Sequence, residues 1–460
     1  MRSRILATVA ITLGLAACSS LASPPPTPAV PTSASLDVQI EAARRRAQVP
    51  LLAVAYVHDG QVRWTRLLGE PQTLAAAGET PLFNQASLTK PMFALMALHQ
   101  VGEDRFSLDM PLWQDWIDPD VADDPRHRQL TPRLALSHQT GLPNWRGRGE
   151  LAFAFDPGSR HEYSGEGFEY LRRALEQRSG ESLATLMQAS VLAPAGMTDT
   201  HFGWTAALAP RFVPGDAGEG LESVQGREAN AAANSFGTIQ DYGRFIAWVT
   251  RGADLDAGLF AQMQTPQARH AEPAEDFGLG WKLAPGGDAP LLWHDGRERG
   301  LYNFAATLPG RREGLVMLGK GQHGELLVRP LLQTLLVDGD DWLARMDRQV
   351  WHYVGTVPRE QLPGMLQFIA SSPSFTAKLL HAAHTSLVGP LSLDATQEAA
   401  ARDAIDALAF AMVEGSVTPE QVQGVLAVLV EDHEGLPRRI GALAPDQARA
   451  WLAAIDAAAR

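Results

Sequence analysis

The chain has 460 residues, of which 45% are hydrophobic and 20% charged, enough for two or three domains that each bury a core. A formal net charge of -13 argues against a general nucleic-acid binder, and a single cysteine excludes an intramolecular disulfide. Only four of the 39 basic side chains are lysine, namely Lys90, Lys282, Lys320 and Lys378, and a lysine kept in such an arginine-rich chain draws notice because, when buried, it can lose its proton and act as a base.

Met1–Arg4 carries Arg2 and Arg4, Ile5–Leu15 is apolar but too short to span a bilayer, and Leu15–Ala16–Ala17–Cys18 closes the segment. Residues 1–17 have the layout of a signal peptide. Their end resembles the bacterial lipobox, in which the cysteine is lipidated and becomes the new N-terminus. The resemblance implies lipidation of Cys18 and a membrane contact through that lipid alone. Ser19 rather than Asp follows, which by the same resemblance points to the outer membrane, facing the periplasm. Residues 18–35, with Pro24–Pro25–Pro26, read as a Pro/Ser-rich, semi-extended tether.

Order is expected to begin near Leu36. Val38–Gln48 has the pattern of an amphipathic helix, and Leu51–Val57 and Gln61–Arg66 read as strands joined across Asp59–Gly60, a hairpin signal. Residues 88–101 and 165–190 read as helical. Strand signals return at Leu291–His294, Asn303–Leu308 and Leu315–Leu318, with Pro309–Gly310 as a turn before the last. Strands at both ends of a helical middle predict one antiparallel sheet assembled from both ends of a domain over 36–345, with an all-helical insertion. Beyond it, 346–460 reads as an all-α domain. Thr418–Pro419–Glu420–Gln421 has the form of a capping box with Pro in the first turn. Val357–Glu360 and Ala444–Gln447 start similarly, and Ile405, Leu408, Ala409 and Met412 share one helical face. No catalytic constellation stands out in this last domain.

Ser87–Leu88–Thr89–Lys90 is the only Ser-x-x-Lys in the chain. Positions i and i+3 share a helical face, so the amine can reach the hydroxyl. Pro91 is tolerated only near a helix start, which puts Ser87 at the N-terminus, where the helix dipole favours a developing negative charge. Burial would lower the pKa of Lys90 and let it take the serine proton.

The neighbouring motifs extend the pattern. Leu136–Pro143 (LSHQTGLP), Pro157–Gly158, Tyr163–Ser164–Gly165–Glu166–Gly167–Phe168, Ala195–Thr200 (AGMTDT), Gly278–Trp281 (GLGW) and His294–Asp295–Gly296 follow in order. Together with Asn84–Pro91 they resemble the serine β-lactamase and penicillin-binding protein superfamily, in particular its class C, esterase and D-amino-acid peptidase branch. The resemblance covers roughly residues 36–335. It implies an α/β (α+β) domain of β-lactamase/transpeptidase-like fold, with an antiparallel sheet flanked by helices. It also implies an acyl-enzyme on Ser87, proton transfer by Lys90 and Tyr163, and an oxyanion hole from the backbone N–H groups of Ser87 and Arg297. Substrate binding would fall to His294, Gly296, Arg297 and the position of Gly165.

Two departures stand out. Gly165 occupies the place of the Asn in the family's Tyr-x-Asn, whose amide binds the substrate's acyl-side amide and steadies the lysine. His294 stands where Lys-Thr-Gly has its lysine, and a neutral His would draw in a substrate carboxylate less well; Arg297 and Arg299 are candidates for that clamp. Both departures favour an ester, a D-amino-acid peptide or another small amide as substrate over efficient β-lactam hydrolysis. Ser137–His138 reads as a loop framing the site. The absence of Gly-x-Ser-x-Gly argues against an α/β-hydrolase. The histidines show no His-x-x-x-His ligand spacing, so no metal is expected, and no cofactor is proposed. The alternative is a catalytically impaired binding lipoprotein of the cell envelope, with the helical domain docking a protein partner.

Overall fold

The computed structural model describes residues 33–147, 149–215, 228–268, 276–284, 286, 289–387, 393–427 and 445–459. The signal segment, Cys18 and the tether up to residue 32 lie outside the described residues. Eleven strands follow in chain order: β1 Leu51–His58, β2 Gln61–Gly69, β3 Leu82–Asn84, β4 Thr200–Phe202, β5 Phe212–Val213, β6 Ser235–Gly237, β7 Asp276–Phe277, β8 Lys282–Ala284, β9 Leu291–Glu298, β10 Leu301–Leu308 and β11 Glu313–Lys320. Seven form the main sheet in the order β2-β1-β11-β10-β9-β8-β7, and four short ones a second sheet in the order β4-β6-β3-β5. Every pairing in the main sheet is antiparallel. The two ends of the domain meet where β1 pairs with β11, Leu51 opposite Lys320 and Val57 opposite Gly314.

The main sheet is covered on both faces, which explains why its central strands read as apolar runs. Along β1, Leu51, Ala53, Ala55 and Val57 enter one core cluster, while Leu52, Val54 and Tyr56 enter another. The first cluster takes in the helices Thr89–Gly102, Gly165–Ser179 and Ile239–Val249. The second takes in Ser33–Arg46, Val328–Leu335 and the first half of Gly339–Val354. This mixed architecture, with an antiparallel sheet and a helical middle segment, is the one the sequence predicts.

The C-terminal helical region builds a third cluster from Leu362–Ala370, Pro373–Leu387, Ala395–Glu414, Pro419–Ala427 and Pro445–Ala459, with Trp451 and Ile455 buried at its centre. The helix Gly339–Val354 serves two clusters: Trp342 and Leu343 face the sheet, Trp351 and Val354 the C-terminal helices. It is continuous through residue 345. The Thr418 cap forms, with the Thr418 N–H donating to Gln421 Oε1 at 2.8 Å. Among the described residues no helix is long and apolar enough to cross a membrane.

Two helices differ from the sequence expectation. The first spans Ser33–Arg46 and ends early because Gln48 takes a left-handed backbone, φ 51°. The stretch 165–190 is broken after Ser179 by Gly180, which at φ 70° closes the helix with its N–H on the Glu176 carbonyl; a new start follows at Leu183, capped by Ser182.

Candidate active site

Strand β3 delivers the chain to a tight turn. Asn84 Oδ1 accepts from the Ala86 N–H at 2.9 Å, and Ala86 adopts φ 48° although it is not glycine. A left-handed non-glycine residue carries strain of about 1–3 kcal/mol that the surroundings must hold. Thr89 Oγ1 braces the turn by donating to the Ala86 carbonyl at 2.7 Å. Ser87 therefore sits in a short 3-10 turn, Ala86–Leu88, that runs directly into the helix Thr89–Gly102. Pro91 lies in that helix's first turn, where its missing N–H costs nothing.

Lys90 is fully buried. Its Nζ donates to Ser87 Oγ at 3.1 Å and to the Ala232 carbonyl at 2.8 Å. Burial pushes its pKa down to about 7, with nearby Asp295 pulling upward and Lys282 further downward. The amine is thus near half-neutral at neutral pH. It lies 4.6 Å from the centre of the Tyr163 ring. Ser87, Lys90 and Tyr163 are brought together from the Ala86–Leu88 turn, the start of the helix Thr89–Gly102 and the segment before the helix Gly165–Ser179.

The Ser137–His138 loop frames the site by holding Tyr163. The Glu162 N–H donates to the His138 carbonyl and the Ser164 N–H to His138 Nδ1, both at 2.9 Å. The imidazole stacks on the phenol ring with centroids 4.3 Å apart. Burial, then the charges of His161 and Lys90, hold its pKa well below the ordinary value, so it is neutral. Ser164 caps the following helix by accepting from the Gly167 N–H at 2.8 Å, while its hydroxyl donates to the Pro143 carbonyl.

Gly165 has a physical reason to depart from Asn. Its N–H donates to the Asn144 carbonyl and to Asn144 Oδ1, each at 3.1 Å. A Cβ there would lie 2.7 Å from the Asn144 carbonyl oxygen and 2.9 Å from Trp145 Cη2. The indole of Trp145, 6.0 Å from Lys90 Nζ and 46% exposed, fills the space instead. Beside it opens a cavity of about 300 Å³ with Trp116, Arg146, Glu169 and Asn230 in its wall.

Strand β9 closes the opposite side. Gly296 packs on the nucleophile turn so tightly that a Cβ would lie 2.4 Å from the Gln85 carbonyl oxygen. His294 is buried, with Nδ1 2.7 Å from the Asp295 carbonyl and its ring 6.1 Å from that of Tyr163. Burial and the adjacent Lys282 push its pKa down to about 3, so it carries no charge at neutral pH. The Arg297 side chain, a candidate carboxylate clamp, is engaged by Glu325: its Nη2 pairs with Oε2 at 2.9 Å.

Sequence reasoning left Lys282 without a role. Its Nζ pairs with Asp295 Oδ1 at 2.9 Å and lies 4.7 Å from the Trp293 ring and 6.0 Å from the Tyr163 ring. Burial would raise the Asp295 carboxyl, but Lys282, followed by His294 and Arg297, holds it below the usual carboxylate range. A second cation thus stands near the phenol although His294 replaces the family's lysine. Its signal was the scarcity of lysine. Trp145, the other missed neighbour, had none, because only the folded loop turns it toward Lys90.

Residues 36–337 match the family model described as Beta-lactamase. The chain is 29% identical over 205 residues to Esterase EstB of Burkholderia gladioli, covering 37% of this chain and 51% of that one. It is 29% identical over 155 residues to D-aminopeptidase of Brucella anthropi, covering 32% and 29%. The matches thus span about half the length of the first relative and less than a third of the second. Among solved structures, the penicillin binding protein from Bacillus halodurans superposes with a TM-score of 0.54 at 18% identity, over 65% of this chain and 99% of that one. The octameric penicillin-binding protein homologue from Pyrococcus abyssi gives 0.52 at 19% identity, over 63% and 73%.

Proposed function

The chain belongs to the Beta-lactamase family, and on that premise we propose that it is a serine hydrolase that cleaves an ester or a small amide through an acyl-enzyme on Ser87. The observation that carries this reading is the buried Lys90 amine, 3.1 Å from Ser87 Oγ and with its pKa lowered to about 7. In the neutral form Lys90 takes the serine proton as Oγ attacks the substrate carbonyl. The backbone N–H groups of Ser87 and Arg297 receive the oxyanion, a contribution of about 3–4 kcal/mol per donor in comparable sites. Tyr163, close to both lysines, passes a proton to the leaving group and regains one from the protonated Lys90, and water then releases the acyl group from Ser87. His294 and Gly296 line the strand along which substrate lies.

The substrate class follows from the two departures. With Trp145 packed where an Asn side chain at position 165 would reach, the family's amide for an acyl-side amide is missing from that position. With His294 neutral, no cation at that position draws in a lactam's carboxylate. An esterase or a D-amino-acid peptidase fits these features better than an efficient β-lactamase, in keeping with the names of the two relatives. We also propose that Cys18 is lipidated and tethers the hydrolase to the outer membrane, as the lipobox-like segment implies.

The test is covalent labelling with a fluorophosphonate probe, paired with turnover of p-nitrophenyl esters, D-Ala-D-Ala peptides and a chromogenic cephalosporin. Labelling is expected in the native protein and absent in Ser87→Ala, with esters or D-peptides turned over faster than the cephalosporin. Equal labelling of both proteins sinks Ser87 as the nucleophile.

A further inference from the structure

Two of the four lysines, Lys282 and Lys378, lie on one chain of charges. From the Tyr163 ring, Lys282 pairs with Asp295 at 2.9 Å, and Asp295 Oδ2 lies 3.9 Å from Arg297 Nη2. Arg297 pairs with Glu325 at 2.9 Å, and Glu325 Oε1 lies 3.9 Å from Lys378 Nζ. The signs alternate from the active site to the C-terminal helix Pro373–Leu387. The Arg297 guanidinium also lies between two rings, 4.9 Å from Tyr302, its cross-strand partner on β10, and 5.3 Å from Phe375 of that same helix.

The place where this contact lands matters. Strand β8 pairs only with Leu291–Trp293 of β9. From His294 to Glu298 the strand has β10 as its single ladder partner among the described residues, and the hairpin turns immediately afterwards at Gly300, φ 74°. That stretch is the one pressed on the Ser87 turn through Gly296. A strand end held from one side frays more readily than a central one. Side-chain anchoring at Arg297 adds to the β10 ladder and the Gly296 contact in keeping its backbone N–H in place.

We propose that the C-terminal helical region is a positioning element for the active site, in which Phe375 and Lys378 act through Arg297 to hold the end of β9 against the nucleophile turn. The catalytic part of this inference rests on the hydrolase reading above; the structural part does not. Arg297 and Lys378 are partly exposed, at 41% and 36%, so each link is weak and solvent-screened. The expected effect is accordingly a modest fold-change rather than a loss of activity. Alternating charges do not by themselves establish coupling, which must be measured.

The experiment uses full-length Phe375→Ala, Lys378→Ala and Arg297→Ala, the Phe375→Ala/Arg297→Ala double variant and the conservative Phe375→Tyr. Two readouts are taken: the rate of Ser87 labelling by a fluorophosphonate, and hydrogen exchange of the 294–300 backbone amides. Phe375→Ala should slow labelling about three- to tenfold and speed exchange over 294–300 by a similar factor, with β1 still protected. Phe375→Tyr should restore both, and the double variant should fall no further than Arg297→Ala alone. If the native protein does not label at all, the hydrolase reading fails while the exchange measurement still judges the anchoring. Unchanged exchange over 294–300 in Phe375→Ala, or losses that simply add in the double variant, would overturn the inference.

Discussion

The active-site cluster and the C-terminal helical region both bury histidine, and both lower its pKa by desolvation. His294 is pushed down to about 3 and His384 to about 4. In the helical region the polar groups answer one another: His381 pairs with Asp406 at 2.8 Å, and Asp347 accepts from Arg329 and Thr385. Around Ser87 they converge on a hydroxyl that projects from a strained turn, Ala86 at φ 48°. A shifted titration therefore marks burial; a candidate site also needs a reactive group, here a hydroxyl on a strained turn, set beside the shifted one.

The sharpest way to break this contrast is to remove the base. Lys90→Met keeps the length and the burial and deletes the amine. Acylation of Ser87 should fall about 10³-fold, the range for a lost general base, while circular dichroism shows a native fold. A labelling rate within a few fold of the native protein would reduce Lys90 to another desolvated group like His384.

The next effect is in pH. The folded-state pKa of Lys90 is depressed to about 7, and in the proposed mechanism the active form is the neutral amine. The acylation rate should therefore rise close to tenfold per unit well below pH 7 and level off above it. His294 is already neutral over the whole interval from pH 5 to 8, so it adds no second limb. A flat acylation profile between pH 5 and 9, measured by stopped-flow labelling, would contradict a lysine base.

How much of this was legible beforehand depends on what carried the signal. Ser87, Lys90, Tyr163 and His294 were visible because short motifs keep local geometry: three residues on a helix, or one register on a strand. The hairpin β1–β2 and the late strands were legible from alternation and turn residues. Lys282, marked only by the scarcity of lysine, and Phe375 could not be placed, since their contacts with the Tyr163 and Arg297 side chains exist only after distant elements pack. Arg297 was half legible. Its place in the motif marks its backbone, but the direction of its side chain is decided by Glu325 and Phe375, which no local pattern connects to it. The break of the predicted helix over 165–190 turns on a single αL glycine that also fits a helix interior at modest cost.

The smallest expected effect compares two helix caps of the same chemistry. Thr418 caps Pro419–Ala427, its N–H on Gln421 Oε1 and its hydroxyl accepting from the Gln421 N–H at 3.4 Å. Ser164 caps Gly165–Ser179, its hydroxyl accepting from Gly167 and donating to Pro143. Removing either hydroxyl by substitution with Ala should cost about 1 kcal/mol, read from the urea midpoint. Only Ser164 adjoins Tyr163, whose ring is clamped between His138 and the Lys90 amine. Ser164→Ala should therefore also slow Ser87 labelling, by several fold, because a small displacement of a proton-transfer group is felt in the rate. Thr418→Ala should leave labelling at the native rate. If the two variants lose stability equally and label equally, the Tyr163 segment is held by something other than its cap, and the stacked His138 becomes the group to substitute.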